Sequence, residues 1–269
     1  MYSVSATLVI TSSRTTLRGE GAASVIRAAS ADGDIIRVER AAGSTGNVAD
    51  LLFADFSLTS SVQKTSGSAM SFDHVQDVRV ANVQASSRTQ VGSANNLWDS
   101  FTFRNFSMVT LETVKIQAQN TGLSIAGDPD GFGADIWVTG GSLIVGTQIG
   151  VHAGGGLGGL YLDEVVLYGN GTHVLVDDAI AGIANSELVF NNCVLDTSTA
   201  HGVDLQPNGV YVLSFNDTYG GNSGAGGTGH PEGAIIRAHP GSVLHPSGVV
   251  VNGCKFFNGI GSGIYAESG

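Results

Sequence analysis

Leu160-Tyr-Leu-Asp-Glu-Val-Val-Leu167 decides the fold of this chain. In this stretch apolar residues alternate, break for two polar positions, and then alternate again. Side chains two residues apart on a strand share one face, so each apolar pair points to the same side. The two polar residues between the pairs then turn the chain from one sheet to the next.

The same pattern occurs eight times along the 269 residues, with starts 27, 31, 27, 24, 28, 25 and 36 residues apart. A repeat of this period with strand character indicates a solenoid. The eight sets of expected inward positions are Leu51-Phe53-Phe56-Leu58, Val78-Val80-Val83-Ala85, Val109-Leu111-Val114-Ile116, Ile136-Val138-Gly141-Leu143, Leu160-Leu162-Val165-Leu167, Leu188-Phe190-Cys193-Leu195, Leu213-Phe215-Thr218-Gly220 and Val249-Val251-Cys254-Phe256.

A further strand, often opened by glycine, precedes each set. On these strands the inward positions are expected to be Val151, Val174, Val203, Ala234 and Ile264. Stacked coils pair such strands in parallel, and the connections between coils are then right-handed. The sequence therefore predicts an all-β, right-handed parallel β-helix of about 9–10 coils with a period of about 28 residues. We expect one domain over residues 1–269, as part of a longer natural protein.

Two short phrases carry a family resemblance, Thr16-Leu-Arg-Gly-Glu-Gly21 and Gly202-Val-Asp-Leu-Gln-Pro-Asn208. They resemble stretches of pectin-lyase-like β-helix proteins, in particular phage tailspikes and polysaccharide depolymerases. The resemblance covers nearly the whole chain from about residue 7. It implies a polysaccharide partner, a homotrimer, and a place outside the cell or on a virion surface. It leaves the chemistry open, because this scaffold carries lyases, hydrolases, epimerases and adhesins alike.

The charge distribution narrows the classes of function. The net charge is −11, and all twelve Lys and Arg residues lie before residue 116 or after residue 236. This argues against a nucleic acid partner, which needs a basic surface to replace counterions. The apolar runs are too short to span a membrane. A uronate lyase must also neutralise a carboxylate, and the acidic middle of the chain offers few cations for that task.

The coil alignment brings a group of candidate catalytic residues together. Asp177 and Asp204 are expected on adjacent coils of one outer face, offset by two residues, with Cα atoms roughly 8 Å apart. That separation suits an inverting glycosidase with one general acid and one general base. His152 is expected one coil before Asp204 in the same column, and Asp178 and His201 lie close in sequence. Ordinary surface aspartates at strand ends are the competing interpretation.

Polygalacturonase-like enzymes carry an Asp-Asp pair and a Gly-His-Gly motif, and the resemblance extends to part of this pattern. Asp177-Asp178 matches the first motif, while Ala200-His201-Gly202 matches the second only in part, and no Arg-x-Lys motif is present. This departure weighs against a strict polygalacturonase assignment.

Substrate contacts are expected from aromatic and polar residues. Trp137 and Tyr161 hold the first outward position of successive coils and are predicted to stack as a carbohydrate platform. A covering loop is the alternative explanation. Gln206 and Arg237 are predicted to lie together, in the outward column of Asp177, and to contact substrate.

No cofactor is required by the sequence, and the one metal candidate is calcium. Asp128, Asp130 and Asp135 are spaced somewhat like a calcium loop, although their register departs from the standard pattern. A plain acidic turn is the preferred explanation of these residues. Outward Lys115, His74 and Arg104 are a candidate second, more basic site. The two cysteines are expected as small buried thiols two rungs apart, too far for a disulfide.

Three functions follow as alternatives. The first is a tailspike-like depolymerase that hydrolyses a glycan with Asp177 and Asp204. The second is a lyase or epimerase acting on a uronate polymer, with a bound cation. The third is a non-catalytic glycan-binding or structural spike.

Overall fold

The computed structural model describes residues 1–86, 97–127, 133–179, 182–224, 233–242, 248–257 and 263–266. Throughout these residues the regular structure is β-strand, and no helix long and apolar enough to cross a membrane occurs in them. The strands pair in parallel with strands one coil away, which confirms the all-β parallel solenoid.

The strands form three parallel ladders, named faces A, B and C; from β2 onward the chain visits them in this order in each coil. Face A includes the first parts of β7 (Ser68–Ala85) and β8 (Asp99–Glu112), two long strands that continue around the corner into face B. The other strands of face A are β2 (Leu8–Ile10), β5 (Ile36–Glu39), β10 (Thr121–Ala126), β13 (Ile149–Ala153), β16 (Thr172–Val176), β19 (Val203–Leu205), β22 (Ile236–Ala238) and β25 (Ile264–Ala266).

Faces B and C complete each coil. Besides parts of β7 and β8, face B contains β3 (Thr16–Arg18), β6 (Val48–Ser60), β11 (Gly133–Thr139), β14 (Leu157–Asp163), β17 (Asn185–Asn191), β20 (Val210–Asn216) and β23 (Val249–Asn252). Face C contains the ends of β6 and β7 with β1 (Tyr2–Val4), β4 (Val25–Ala28), β9 (Lys115–Ile116), β12 (Leu143–Val145), β15 (Val166–Tyr168), β18 (Val194–Asp196), β21 (Tyr219–Gly221) and β24 (Lys255–Phe257).

The ladders set the length of one coil. Val138 pairs with Leu162, 24 residues later, and Phe215 pairs with Val251, 36 residues later. The chain makes about eight turns with a period of about 28 residues; the period is as predicted, and the turns are slightly fewer than the 9–10 coils expected.

Apolar side chains in vertical stacks fill the interior. Phe72 stacks on Phe103 with ring centroids 4.5 Å apart, and Phe190 stacks on Phe215 at the same distance. In most coils the predicted inward positions are buried. In the last described coil they keep the inward register, but Val249 and Val251 are exposed and Cys254 and Phe256 are only partly buried.

A tight corner joins face B to face C in every coil. Its turning residue has a positive φ, for example 61° at Asp55, 50° at Asn192 and 66° at Gly253. This left-handed conformation is easiest for Gly, Asn and Asp. The corner therefore explains the polar step that interrupts each apolar repeat.

The fourth repeat departs from the predicted register. Gly140 and Gly141 both have positive φ, so the corner contains one extra residue. As a result Ile144, rather than Leu143, pairs with buried Ile116 and points inward, and Ser142 replaces Gly141 in the interior. The prediction for Gly141 and Leu143 was wrong by one position.

The cysteines lie in one inward column, as predicted. The backbone N–H of Cys193 donates to the Thr218 hydroxyl, and Thr218 occupies the rung before Cys254. Both thiols are free; Cys193 is buried and Cys254 is partly exposed. Burial raises the pKa of the Cys193 thiol to about 12, so it stays protonated at neutral pH.

Candidate active site on the outer surface of face A

The candidate site lies on the solvent side of face A, on β13, β16, β19 and β22. Backbone pairing places one outward residue of each strand in a single row, here named the central row. It consists of His152, Leu175, Asp204 and Arg237. The row confirms the predicted alignment of the first three residues. His152 is, however, two rungs before Asp204, with Leu175 between them, and not one.

Arg237 does not occupy its predicted position. Ile236, and not Ala234, pairs with Val203, so the register of this strand is shifted by two residues. Arg237 therefore lies directly beside Asp204 in the central row, instead of beside Gln206. The shift brings the first fixed positive charge after Lys115 next to a candidate catalytic carboxylate.

A second row runs parallel to the first, two residues further along each strand. It is named the side row and consists of Asp177, Gln206 and His239, whose backbone N–H groups donate to the preceding rung. Asp177 and Asp204 are thus on adjacent coils with an offset of two residues, as predicted. One rung and two residues correspond to a Cα separation of about 8 Å.

His152 and Asp177 form the first contact between the rows. The Nε2 atom of His152 is 3.0 Å from Oδ1 of Asp177, and the side chains are 17% and 15% exposed. The backbone N–H of Ala179 donates to the same carboxylate oxygen at 3.1 Å. Asp177 is therefore held in place while a small part of it remains open to solvent.

Asp204, Gln206 and His239 form a compact triangle. Nε2 of His239 is 3.1 Å from Oδ1 of Asp204, and the Gln206 amide donates to Oδ2 at 3.0 Å. The Gln206 amide nitrogen is also 3.1 Å from Nε2 of His239. The position of the proton in this triangle depends on the protonation of the imidazole. A carboxylate that orients an imidazole is the arrangement that general acid–base catalysis uses.

His201 is buried at the edge of the same cluster. Its Nε2 atom is 3.2 Å from a guanidinium nitrogen of Arg237, and its Nδ1 atom accepts a hydrogen bond from the backbone N–H of Ala234 at 3.3 Å. The sequence therefore identified His201 as part of the cluster, and its contact is to Arg237.

Asp178 is less closely connected. It follows Asp177 beyond the end of β16, and its backbone oxygen accepts a hydrogen bond from Gly182. Within the described part of the chain no hydrogen bond or ion pair joins its carboxylate to the two rows. A catalytic role for Asp178 therefore stays a prediction.

Trp137 and Tyr161 stack on the outer surface of face B. Their ring centroids are 5.4 Å apart with an interplanar angle of 11°. The Tyr161 hydroxyl donates to Glu187, and burial together with this hydrogen bond raises the pKa of Tyr161. Burial, with a smaller effect of the Glu187 charge, raises the pKa of Asp135. The predicted stack is confirmed, and it lies on a different face from the two rows.

The calcium candidates are only partly described. Asp128 and Asp130 lie outside the described residues, and Asp135 is on β11, in the same outward column as Glu187. Among the described residues, no three His, Cys, Asp or Glu side chains are close enough together to hold a metal ion.

The candidate basic site is divided between faces. Nδ1 of His74 is 2.9 Å from Asp73, and Arg104 pairs with Asp73 on face A. Lys115 lies on face C, where it pairs with Gln84. His74 and Arg104 are therefore near one another, and Lys115 does not belong with them.

The sequence analysis missed His239 and Glu187. His239 was missed because the strand was aligned on Gly233, which shifted its register by two residues. The signal was available in Arg237-Ala-His239, whose alternation matches Asp204-Leu-Gln206. Glu187 could have been found from its outward position two residues before Val189, which pairs with Tyr161.

No family model matches this chain, and no curated protein matches it. Among solved structures, it is similar to the A-module of mannuronan C-5 epimerase AlgE6 from Azotobacter vinelandii. The TM-score is 0.43 and the identity is 12%, over 96% of this chain and 84% of that chain. A similarity this distant carries no argument about the reaction.

Proposed function

We propose that the chain is an enzyme that acts on a polysaccharide lying across the central and side rows of face A. The two rows present at least one polar side chain on each of their four rungs, a repeating surface that suits a linear polymer. The pectin-lyase-like resemblance of the sequence supports the same class of substrate. The aromatic pair on the outer surface of face B is proposed as a separate sugar contact.

The chemistry that the cluster supports best is proton abstraction beside a uronate carboxylate. The observation that carries this proposal is the position of Arg237 beside Asp204 and two residues from His239. The guanidinium neutralises the substrate carboxylate, which makes the neighbouring C–H more acidic. The Asp204–His239 pair accepts that proton, and Asp204 stabilises the imidazolium that forms. The site therefore removes the main objection to a lyase or epimerase, namely the lack of a cation.

Hydrolysis is the second candidate, and the offset of Asp177 and Asp204 favours it. A Cα separation of about 8 Å is compatible with carboxyl groups that protonate the leaving oxygen and activate water. This is the function of a tailspike-like depolymerase. A homotrimeric assembly and a place outside the cell or on a virion surface belong to the same proposal.

Turnover on defined polysaccharides tests these functions. The probes are polygalacturonate, alginate, hyaluronan, and purified capsular and O-antigen polysaccharides. Reducing ends, the ultraviolet absorbance of an unsaturated product, and exchange of the uronate proton with solvent deuterium are followed together. The variants are His239→Gln and Asp177→Asn, with the exposed Asp50→Asn as control.

A lyase gives absorbance, and an epimerase gives deuterium exchange without cleavage. Either signal should fall about 10²–10⁴-fold in His239→Gln, because a general base contributes a factor of that size. Reducing ends without absorbance, lost in Asp177→Asn, would replace this function by hydrolysis. Binding of a probe without any turnover would leave a non-catalytic spike.

A further inference from the structure

Four residues on the outer surface of face B form a group that combines aromatic rings with carboxylates. Asp135 and Trp137 lie on β11, Tyr161 lies on β14, and Glu187 lies on β17. Backbone pairing places Trp137 beside Tyr161, and it places Asp135 and Glu187 in one outward column on either side of Gly159. All four side chains are partly exposed. Asp135, Trp137, Tyr161 and Glu187 are named the face-B platform.

Two consecutive glycines leave the space that the platform occupies. A Cβ atom on Gly159 would lie 2.5 Å from the ring of Tyr161, so the ring fills the place of a side chain. A Cβ atom on Gly158 would lie 2.8 Å from Oδ1 of Asp135. The Tyr161 hydroxyl donates to Glu187 on the next rung. One ring and the carboxylates of two neighbouring rungs therefore come together over β14.

The two carboxylates of the platform have no cationic partner on the protein. Residues 116–236 contain no Lys or Arg, and within the described part of the chain no ion pair reaches Asp135 or Glu187. Arg79 lies two rungs before the first ring in the same column, but it is paired with Glu112. Like charges repel and opposite charges attract, so the platform disfavours an anionic ligand and favours a cationic one.

The aromatic stack supplies a second attraction for the same kind of ligand. The rings of Trp137 and Tyr161 are nearly parallel, with centroids 5.4 Å apart. The face of an aromatic ring attracts a cation, and its apolar surface also packs against the carbon skeleton of a sugar. An ammonium group can donate charge-assisted hydrogen bonds to carboxylates at the same time. Both features therefore suit a sugar that carries an amine.

We propose that the face-B platform binds a sugar residue with a free, protonated amino group. The ammonium donates to Asp135 and Glu187, and the sugar ring packs against the aromatic stack. The site binds and does not react. This proposal rests on the polysaccharide partner proposed above, and it names the ligand of the aromatic pair. Faces A and B then select opposite charges, since Arg237 on face A favours a carboxylate.

Titration calorimetry with a matched pair of oligosaccharides tests this proposal. The probe is a chitosan tetrasaccharide, at a pH where its amino groups are protonated. The control is the chitin tetrasaccharide, which has the same sugar rings with every amine acetylated and uncharged. The chitosan form should bind at least about 10-fold more tightly, because acetylation removes the charge-assisted hydrogen bonds. Raising the ionic strength from about 0.01 M to about 0.15 M should weaken this binding, because salt screens the carboxylates.

Three variants locate the binding on the platform. Glu187→Gln keeps the shape of the side chain and removes its charge, so it should weaken chitosan binding about 10-fold. Trp137→Ala should weaken the binding of both oligosaccharides, because it removes one ring of the stack. Asp50→Asn removes one exposed carboxylate elsewhere and should bind both as the wild type does. Thermal unfolding verifies that each variant is folded.

Three results would overturn the proposal. They are no binding of the chitosan form, equal affinity for the chitosan and chitin forms, and equal losses in Glu187→Gln and Asp50→Asn. The last result would show that the probe responds only to the net charge of the protein. The assay measures binding and not turnover. A failure of every turnover assay on face A therefore leaves this test intact, and a negative result here leaves the chemistry proposed for face A intact.

Discussion

The inner and outer sides of the same face-A strands differ in how their residue types change from one rung to the next. On the inner side, Val151, Val174 and Val203 follow one another and all are buried. On the outer side the matching row changes from imidazole to leucine to carboxylate. The inner side needs only apolar volume, so it repeats. The outer side has no such requirement, and it can carry chemistry without changing the ladder.

The largest expected effect on stability comes from a substitution in the interior of the solenoid. Phe215→Ala should lower the free energy of unfolding by about 3–5 kcal/mol, because it removes the ring that stacks on Phe190 and leaves a cavity. The measurement is the urea midpoint at constant m-value. Ser214→Ala, one residue away and outward, should change stability by no more than about 0.5 kcal/mol. Equal losses in the two variants would refute the distinction between the sides.

The next effect concerns a titratable group in the interior. Burial lowers the pKa of His173 to about 4, and its Nε2 atom has no hydrogen-bond partner among the described residues. The unfolded chain takes up this proton near pH 6.5, so stability is present above that pH and is lost as the pH falls toward about 4. The loss should be about 3 kcal/mol.

His173→Met isolates this contribution, since other groups titrate equally in both proteins. The difference in unfolding free energy between wild type and variant, measured from pH 7 to pH 4, should follow the His173 titration. A difference that is constant with pH would show that the pKa of His173 is the same in the folded and the unfolded protein.

The smallest expected effect on stability concerns the corner between faces B and C, where the turning residue has a positive φ. Glu164 is exposed and has a φ of 57°, a conformation that costs a residue with a Cβ atom about 1–2 kcal/mol. Glu164→Gly removes that strain at some entropic cost, and should stabilise the fold by about 0.5–1 kcal/mol. Glu164→Ala should leave the thermal midpoint nearly unchanged. Destabilisation by glycine would mean that the Glu164 side chain makes a contact that matters.

The corner explains how much of the fold could be predicted from sequence. The corner after each face-B strand needs a residue in the left-handed conformation, and in most coils this is Asn, Asp or Gly, which marks the repeat in the sequence. The buried apolar columns fix the spacing between successive repeats. The phase was lost at Gly140 and Gly141, since two consecutive glycines allow one or two left-handed residues equally well. Only the pairing of Ile144 with Ile116 decides between them.

The candidate site was harder to predict because glycine has more than one physical role. At Gly202 a Cβ atom would lie 2.5 Å from the backbone oxygen of Ile235, so the ladder itself requires glycine there. At Gly233 a Cβ atom would instead meet Gly224 of a neighbouring connection. Treating the two glycines as equivalent shifted Arg237 and hid His239. Sequence spacing alone cannot separate these two causes.

The column of Cys193, Thr218 and Cys254 also supplies a built-in reporter of local opening. The thiolate is the form of cysteine that reacts with a thiol-specific reagent, and burial keeps Cys193 both covered and protonated. The labelling rate of Cys193 therefore measures how often the part of the coil between β17 and β18 opens. Cys254, two rungs later and partly exposed, gives the reference rate. The rate of local opening can thus be measured on the natural sequence, without introducing a cysteine by mutation.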